Sequence, residues 1–245
     1  MNKLITALLL WCICSLVSAA GTEGPPLLEA NVNLGNKVSL QRGGRLFVNY
    51  CLSCHSAEYM RYARMAEDLG LAEDVVKANL MFATDKIGDP MKVAMRPADA
   101  EQWFGIAPPD LSVIARARGA NWLFSFLNGF YLDDKRPNGV NNLYFPDTAM
   151  PHVLADLQGL NRKLDHEGDS DAHGKPTVDF EQVQAGQLAP EDYRQATRDL
   201  VAFLVYVGEP AKLVRYRIGF WVIAFLLVLL VATFLLKREY WKDVH

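Results

Sequence analysis

Cys51 and Cys54 are separated by two residues and followed directly by a histidine, in Cys51-Leu52-Ser53-Cys54-His55. Three kinds of chemistry use a Cys-x-x-Cys pair: thiol–disulfide exchange, half of a tetrahedral zinc site, and covalent attachment of a haem. A zinc site needs a second Cys or His pair at ligand spacing, but His152, His166 and His173 are scattered. A redox disulfide usually opens a helix behind a strand, and no strand is predicted here. With His55 adjacent, the motif reads as the attachment point of a c-type haem. Two thiols at this spacing on a turn add to the two vinyl groups of one macrocycle, and the next imidazole projects to the iron.

Iron held by an imidazole and a thioether has a raised potential and no open position, which suits electron transfer rather than oxygen chemistry. Met60 and Met65 are too close to His55 to loop easily over the ring, and Met91 and Met95 stand at the i, i+4 spacing of core packing. Met81 is a further methionine between them. Met150 lies 95 residues beyond His55, in Tyr144-Phe145-Pro146-Asp147-Thr148-Ala149-Met150-Pro151-His152. Prolines on both sides make this an extended, stiff segment that can present one side chain. Spacing alone leaves Met150 and its neighbour His152 both open as the sixth ligand. His152 reads equally as a surface or supporting residue.

Helices must carry these groups. Residues 39–50 read as a helix leading into the haem motif, with Ser39 as N-cap and Leu40, Leu46, Phe47 and Tyr50 on or near one face. Gly43 and Gly44 weaken it by about 1 kcal/mol each. They are either simply tolerated or mark the close approach of another helix. Asp110, behind Pro108-Pro109, is expected to cap a helix over residues 111–118, and Asn121 to cap the next. In that second helix Trp122, Leu123, Phe124, Phe126, Leu127 and Phe130 supply bulky walls, suited to shielding a macrocycle or to an ordinary core. Pro190 and Gly208-Glu209-Pro210 frame a third helix. Its stripe of Tyr193, Ala196, Leu200, Phe203, Leu204 and Val207 is expected to pack on the helix before the haem motif and then lead to a membrane anchor.

Two apolar segments stand at the ends of the 245-residue chain. Residues 1–20 carry one charge, Lys3, an apolar run over 4–17 and a Val17-Ser18-Ala19 cleavage site, the layout of a secretory signal peptide. Cleavage after Ala19 or Ala20 removes Cys12 and Cys14, leaving Cys51 and Cys54. Residues 218–236 carry no charge and, at about 1.5 Å per residue, just cross roughly 30 Å of hydrocarbon. Tyr216 and Trp221 mark one boundary of the span, Tyr240 and Trp241 the other. Lys212, Arg215 and Arg217 before it balance Lys237, Arg238 and Lys242 after it, so the signal peptide decides orientation. The expected layout is a signal peptide over 1–20, a periplasmic haem domain over 21–210, and a C-terminal anchor over 211–245 with a short cytoplasmic tail. The expectation is a single-pass protein of a bacterial inner membrane.

Charge narrows the partners. Residues 21–210 carry 18 Lys and Arg against 26 Asp and Glu, a net of −8, whereas residues 211–245 carry +4. Phosphate binding needs the opposite sign, so nucleic acid is excluded as a partner of the exported domain. Residues 156–192 hold 9 of the acids, and their centre, 165–176, reads as a polar loop. Acidic surface around the haem edge is expected to steer a basic electron acceptor.

Several segments together resemble the cytochrome c1 family, the haem subunits of the cytochrome bc1 complex (ubiquinol–cytochrome c reductase). They are the haem motif, Ala107-Pro108-Pro109-Asp110-Leu111-Ser112, Arg116-Ala117-Arg118, the aromatic stretch over 121–131, Tyr144-Phe145-Pro146, Ala149-Met150-Pro151 and the single C-terminal anchor. The resemblance covers nearly the whole mature chain, in order. It implies a mainly α, c-type cytochrome fold with long loops plus one C-terminal transmembrane helix. It also implies one haem c on Cys51 and Cys54, with His55 and Met150 as axial ligands. An Arg of the Arg-Ala-Arg stretch contacts a haem propionate in the family; Arg118 is the first choice and Arg116 the second. The chain departs from some family members in lacking an extra disulfide.

The implied function is electron transfer within a quinol:cytochrome c oxidoreductase. Electrons would arrive from the Rieske iron–sulfur protein and leave for a soluble or membrane cytochrome c, with cytochrome b as third partner in a dimeric complex. The subunit itself carries no catalytic residue. Two alternatives compete: a stand-alone membrane-anchored cytochrome c donating to a terminal oxidase, and a haem peroxidase. The single Cys-x-x-Cys-His counts against the second.

Overall fold

A computed structural model describes residues 25–164 and 179–242. The expected signal peptide and the expected loop centre at 165–176 lie outside these residues. The chain is mainly helical. Its organising element is α8, Pro190–Gly208, with Pro190 in the first turn beside Glu191 and Asp192. Proline costs nothing where the amide has no helical partner, and carboxylates there complement the helix dipole.

Helix α1, Lys37–Leu46, crosses α8 at Gly43. A Cβ at Gly43 would collide with the Asp199 carbonyl and lie 2.8 Å from the Phe203 Cβ, so this glycine is the contact point between the helices. Phe47 and Phe203 meet beside it at 5.6 Å between ring centroids. Asp199, 1% exposed, accepts hydrogen bonds from Arg42 Nε (2.5 Å) and Nη2 (3.1 Å), Ser39 Oγ (2.5 Å) and Gln195 Nε2 (2.9 Å). The sequence places Ser39 as N-cap of this helix. The cap is instead Asn36, whose side chain accepts from the Ser39 amide at 3.1 Å, while the Ser39 hydroxyl is drawn to the buried carboxylate.

After α1 the chain widens into a single π-helical turn, Phe47–Cys51. Then follow β1, Ala57–Arg61, α2, Tyr62–Leu69, α3, Glu73–Leu80, β2, Pro90–Met91, and α4, Pro97–Phe104. The short helix α5 spans Ile114–Arg118, not residues 111–118. Asp110 does not cap it. Its carboxylate accepts from the amides of Ser112 (2.8 Å) and Glu58 (2.9 Å), closing a turn and tying this segment to β1. Helix α6, Ala120–Asn128, begins after Gly119, not at an Asn121 cap. The Asn121 side chain accepts from the Ala30 amide at 3.0 Å, which straps the N-terminal segment across the domain. Tyr193 Oη donates to the Leu127 carbonyl at 2.8 Å and locks α6 to α8.

Strands β3, Phe130–Leu132, and β4, Val140–Asn142, pair antiparallel. Beyond α7, Ala155–Gln158, the strands β5, Gly159–Leu164, and β6, Asp179–Ala185, form an antiparallel ribbon flanking the expected loop. The charge-rich composition hid this ribbon, because its residues are mostly exposed or half-buried and give little alternation to read.

The last helix, α9, is Lys212–Tyr240, 29 residues with none buried. It is long and apolar enough to cross a membrane by length and composition. It includes the expected span at 218–236 and extends through the basic residues on both sides.

Candidate functional site

The turn after the π-helix fixes the chemistry of the motif. The Cys51 carbonyl accepts from the amides of both Cys54 (3.0 Å) and His55 (2.8 Å), which curls the two thiols and the imidazole around one point. Both cysteines are free, Cys51 buried and Cys54 partly so. Burial, with Cys54 alongside, pushes the Cys51 thiol up to about 12.

His55 Nδ1 lies 2.8 Å from the Pro109 carbonyl oxygen. A carbonyl only accepts, so Nδ1 carries the proton and Nε2 keeps its lone pair. Burial also lowers the His55 pKa and favours this neutral form. The segment carrying Pro109 is stitched to the residues after the motif. The Leu111 amide donates to the Ser56 carbonyl (2.8 Å), and the Tyr59 amide to Ser112 Oγ (3.1 Å).

A cavity of about 520 Å³ opens beside the motif. That volume falls within the roughly 300–1,000 Å³ of small-molecule and cofactor sites. Cys51, Cys54, His55, Met150 and Arg118 all line it. Trp122, Leu123, Phe126 and Leu127 of α6 form one wall, and Phe145 closes on them, 6.1 Å from Trp122 and 6.5 Å from Phe126. Phe124 and Phe130, from the same aromatic run, turn away. Phe124 lies under the Arg198 guanidinium at 5.5 Å, and Phe130 is fully buried against His152. The aromatic stretch therefore serves as cavity wall on one face and as core on the other.

Met150 reaches the cavity on a segment bolted to β4. Asn142 Oδ1 accepts from the amides of Tyr144 (2.9 Å) and Phe145 (3.2 Å), and Asn141 Oδ1 from that of Asp147 (2.9 Å). Asn142 Nδ2 donates to the Phe126 carbonyl at 2.7 Å. His152 does not line the cavity. It stacks on Phe130 at 4.8 Å, and burial drives its pKa down to about 4. Met60, Met65 and Met91 are buried elsewhere in the core.

The two arginines part company. The Arg118 guanidinium lies 5.0 Å from the Trp122 ring centroid and 5.7 Å from that of Phe145, a cation held by two aromatic faces at the cavity wall. The Arg116 stem packs at Gly208, where α8 ends, outside the cavity lining.

Sequence reasoning missed Tyr50 of the π-helical turn and Leu200 and Leu204 of α8 as cavity lining. It also missed the Asn141-Asn142 pair as the scaffold of the methionine segment. Adjacent asparagines ahead of a proline-containing segment are turn formers, and that signal was present.

Two thiols, an imidazole with one nitrogen free, a thioether and largely apolar walls around a single cavity fit a haem, and the donor set marks a c-type haem protein. The chain belongs to the cytochrome c1 family, whose family model matches residues 32–244. It is 46% identical to the cytochrome c1 of Allochromatium vinosum over 246 residues, covering 100% of both chains. It is 45% identical over 217 residues to a Nitrosomonas europaea protein named ammonia monooxygenase gamma subunit, covering 89% of this chain and 88% of that one. It is 30% identical over 257 residues to the cytochrome c1 of Blastochloris viridis, covering 85% and 82%. With the family come a haem and the role of an electron-transfer subunit in a quinol:cytochrome c oxidoreductase.

Proposed function

We propose that the chain carries one haem c: Cys51 and Cys54 would hold it by thioether bonds, His55 and Met150 would serve as donors to its iron, and Arg118 would meet a propionate. The observation that carries this reading is that His55 and Met150, far apart in sequence, open on the same cavity as the two thiols. The haem, when bound, supplies a one-electron Fe(III)/Fe(II) couple. The chain supplies everything else. The Pro109 carbonyl holds the His55 proton on Nδ1 and so keeps Nε2 available as a donor. The aromatic wall makes one face of the cavity apolar, and Arg118 brings a positive charge to its edge.

Electrons pass from the Rieske iron–sulfur protein through this site to a cytochrome c, with cytochrome b as the neighbouring subunit in a dimeric complex. The domain boundaries at 20 and 210 and the periplasmic side of the haem domain belong to the same proposal. They are supported by the signal-like residues 1–20 and by α9. The net −8 of residues 21–210 favours a basic acceptor.

The name of the Nitrosomonas relative points to an oxygenase instead. Two protein donors on one cavity favour electron transfer, because both bound to a haem iron would leave no position for an external ligand. The deciding experiment is a visible spectrum of the purified membrane fraction with carbon monoxide added to the reduced protein. A low-spin spectrum indifferent to the gas supports the relay. Gas binding would revive oxygen or peroxide chemistry, and a colourless mature chain would end the proposal. Copurification with cytochrome b separates the complex subunit from a stand-alone cytochrome.

A further inference from the structure

Asp147 lines the cavity wall three residues before Met150, and its φ is 62°. That is the left-handed region, which costs most side-chain-bearing residues roughly 1–2 kcal/mol and an aspartate less, because its short polar side chain can bond locally. The contacts around it favour that conformation further. Arg136, on the turn between β3 and β4, grips the residue twice: Nη1 donates to the Asp147 carboxylate at 2.7 Å and Nη2 to the Asp147 carbonyl at 3.0 Å. The Asp147 amide is taken by Asn141 Oδ1 at 2.9 Å. Side chain, carbonyl and amide of one strained residue are thus all engaged.

The turn that presents Arg136 is itself closed. The Arg136 amide donates to the Asp133 carbonyl at 3.0 Å, the Gly139 amide to the Arg136 carbonyl at 3.0 Å, and Asn141 Nδ2 to the Asp133 carboxylate at 2.9 Å. The Arg136 side chain is only 27% exposed, and its Nε is buried without a partner among the described residues, a desolvation cost that an ordinary surface ion pair does not carry. From the same turn, Asn138 Nδ2 reaches the Met150 carbonyl at 3.4 Å.

We infer that Arg136 is a positioning residue for the Met150 thioether, acting through the left-handed Asp147. Breaking the grip lets residue 147 relax to negative φ, which swings the three residues that follow and withdraws the sulfur from the cavity. This inference rests on the proposed ligand role of Met150, and the experiment separates the two.

The test compares full-length protein in membranes as wild type, Met150→Ala, Arg136→Gln, and Arg136→Gln combined with Asp147→Gly. The readouts are the absorption signature of thioether-ligated ferric iron, the midpoint potential, and carbon monoxide binding to the reduced form. Arg136→Gln is expected to weaken the signature, lower the potential and raise the gas-binding fraction roughly tenfold, as loss of one charge-assisted contact allows. Adding Asp147→Gly is expected to restore the signature, because glycine adopts positive φ without being held. If Arg136→Gln fails to accumulate, the double variant is still expected to do so with the signature intact. Its failure, or its lack of the signature, would overturn the inference. So would an Arg136→Gln protein with unchanged signature and potential, provided Met150→Ala abolishes the signature. An unchanged signature in Met150→Ala would instead strike at the ligand reading.

Discussion

His55 Nδ1 meets the Pro109 carbonyl oxygen at 2.8 Å, so a residue 54 positions away in sequence sets the tautomer of the imidazole beside the cysteines. Asp110 holds that carbonyl in place by accepting from the Ser112 and Glu58 amides. An Asp110→Ala variant should loosen the segment, weaken the hydrogen bond to Nδ1 and make the imidazole a less basic donor. The expected outcome is a more positive midpoint potential with the low-spin spectrum retained, measured by redox titration. A potential equal to wild type would show that the segment does not tune the imidazole.

Met150→Ala should lose the thioether signature and open the reduced iron to carbon monoxide. Its rivals are poorly placed: His152 is stacked on Phe130 outside the cavity lining, and Met91 is fully buried. A spectrum identical to wild type would reassign the ligand.

Arg118 and Arg116 should behave differently. A cation at the cavity edge favours the reduced, less positive iron. Arg118→Ala is therefore expected to lower the midpoint potential, and Arg116→Ala, with its stem on Gly208, to leave it unchanged. Equal shifts in the two variants would contradict this assignment.

Gly43→Ala should be costly for so small a change, since the new methyl meets the Asp199 backbone and the Phe203 Cβ. Overpacking of this kind costs about 1–3 kcal/mol, read as a lower Tm of the haem-loaded protein. Gly44→Ala meets only the edge of the Phe203 ring, at 3.1 Å, and should cost less.

Arg42→Ala removes the cation from a carboxylate that is 1% exposed and leaves it only neutral donors. The carboxylate is buried but the Arg42 side chain is 46% exposed, so the cost is expected to fall below the roughly 3–5 kcal/mol of a fully buried pair broken from one side. Asp199→Asn, which removes the buried charge instead, is expected to be milder. Thermal melts that rank the two in the opposite order would refute this account of the helix contact.

The acidic domain over residues 21–210 should reduce a basic soluble cytochrome c more slowly as ionic strength rises, because a Debye length of about 10 Å at 0.1 M shrinks with added salt. Stopped-flow rates that stay flat with salt would remove electrostatic steering from the account.

Much of the site was legible from short-range chemistry. The Cys-x-x-Cys-His turn, the proline-flanked segment of Met150 and the helix from Pro190 to Gly208 could be read because each is a local signal, whereas Gly43 and Gly44 left close helix approach as only one of two readings. What escaped was settled by distant partners. Ser39 looks like a cap until the buried Asp199 claims its hydroxyl, and Asn121 until the Ala30 amide does. Asp110 looks like a helix cap until it is seen holding Glu58 of β1. The β5–β6 ribbon left no clean alternation, because its faces are mostly exposed or half-buried. No local rule assigns a polar side chain to a backbone group a hundred residues away.

Leu200 and Leu204 of α8 line the cavity, and about 6 Å of helix separates Leu204 from Gly208. Only Glu209, Pro210 and Ala211 stand between Gly208 and α9, and Arg215 of α9 reaches back to Glu209 at 2.6 Å. The pocket is thus mounted on a short, braced mast rather than on a tether. If α9 crosses a membrane, a pocket so mounted would keep one height above the lipid.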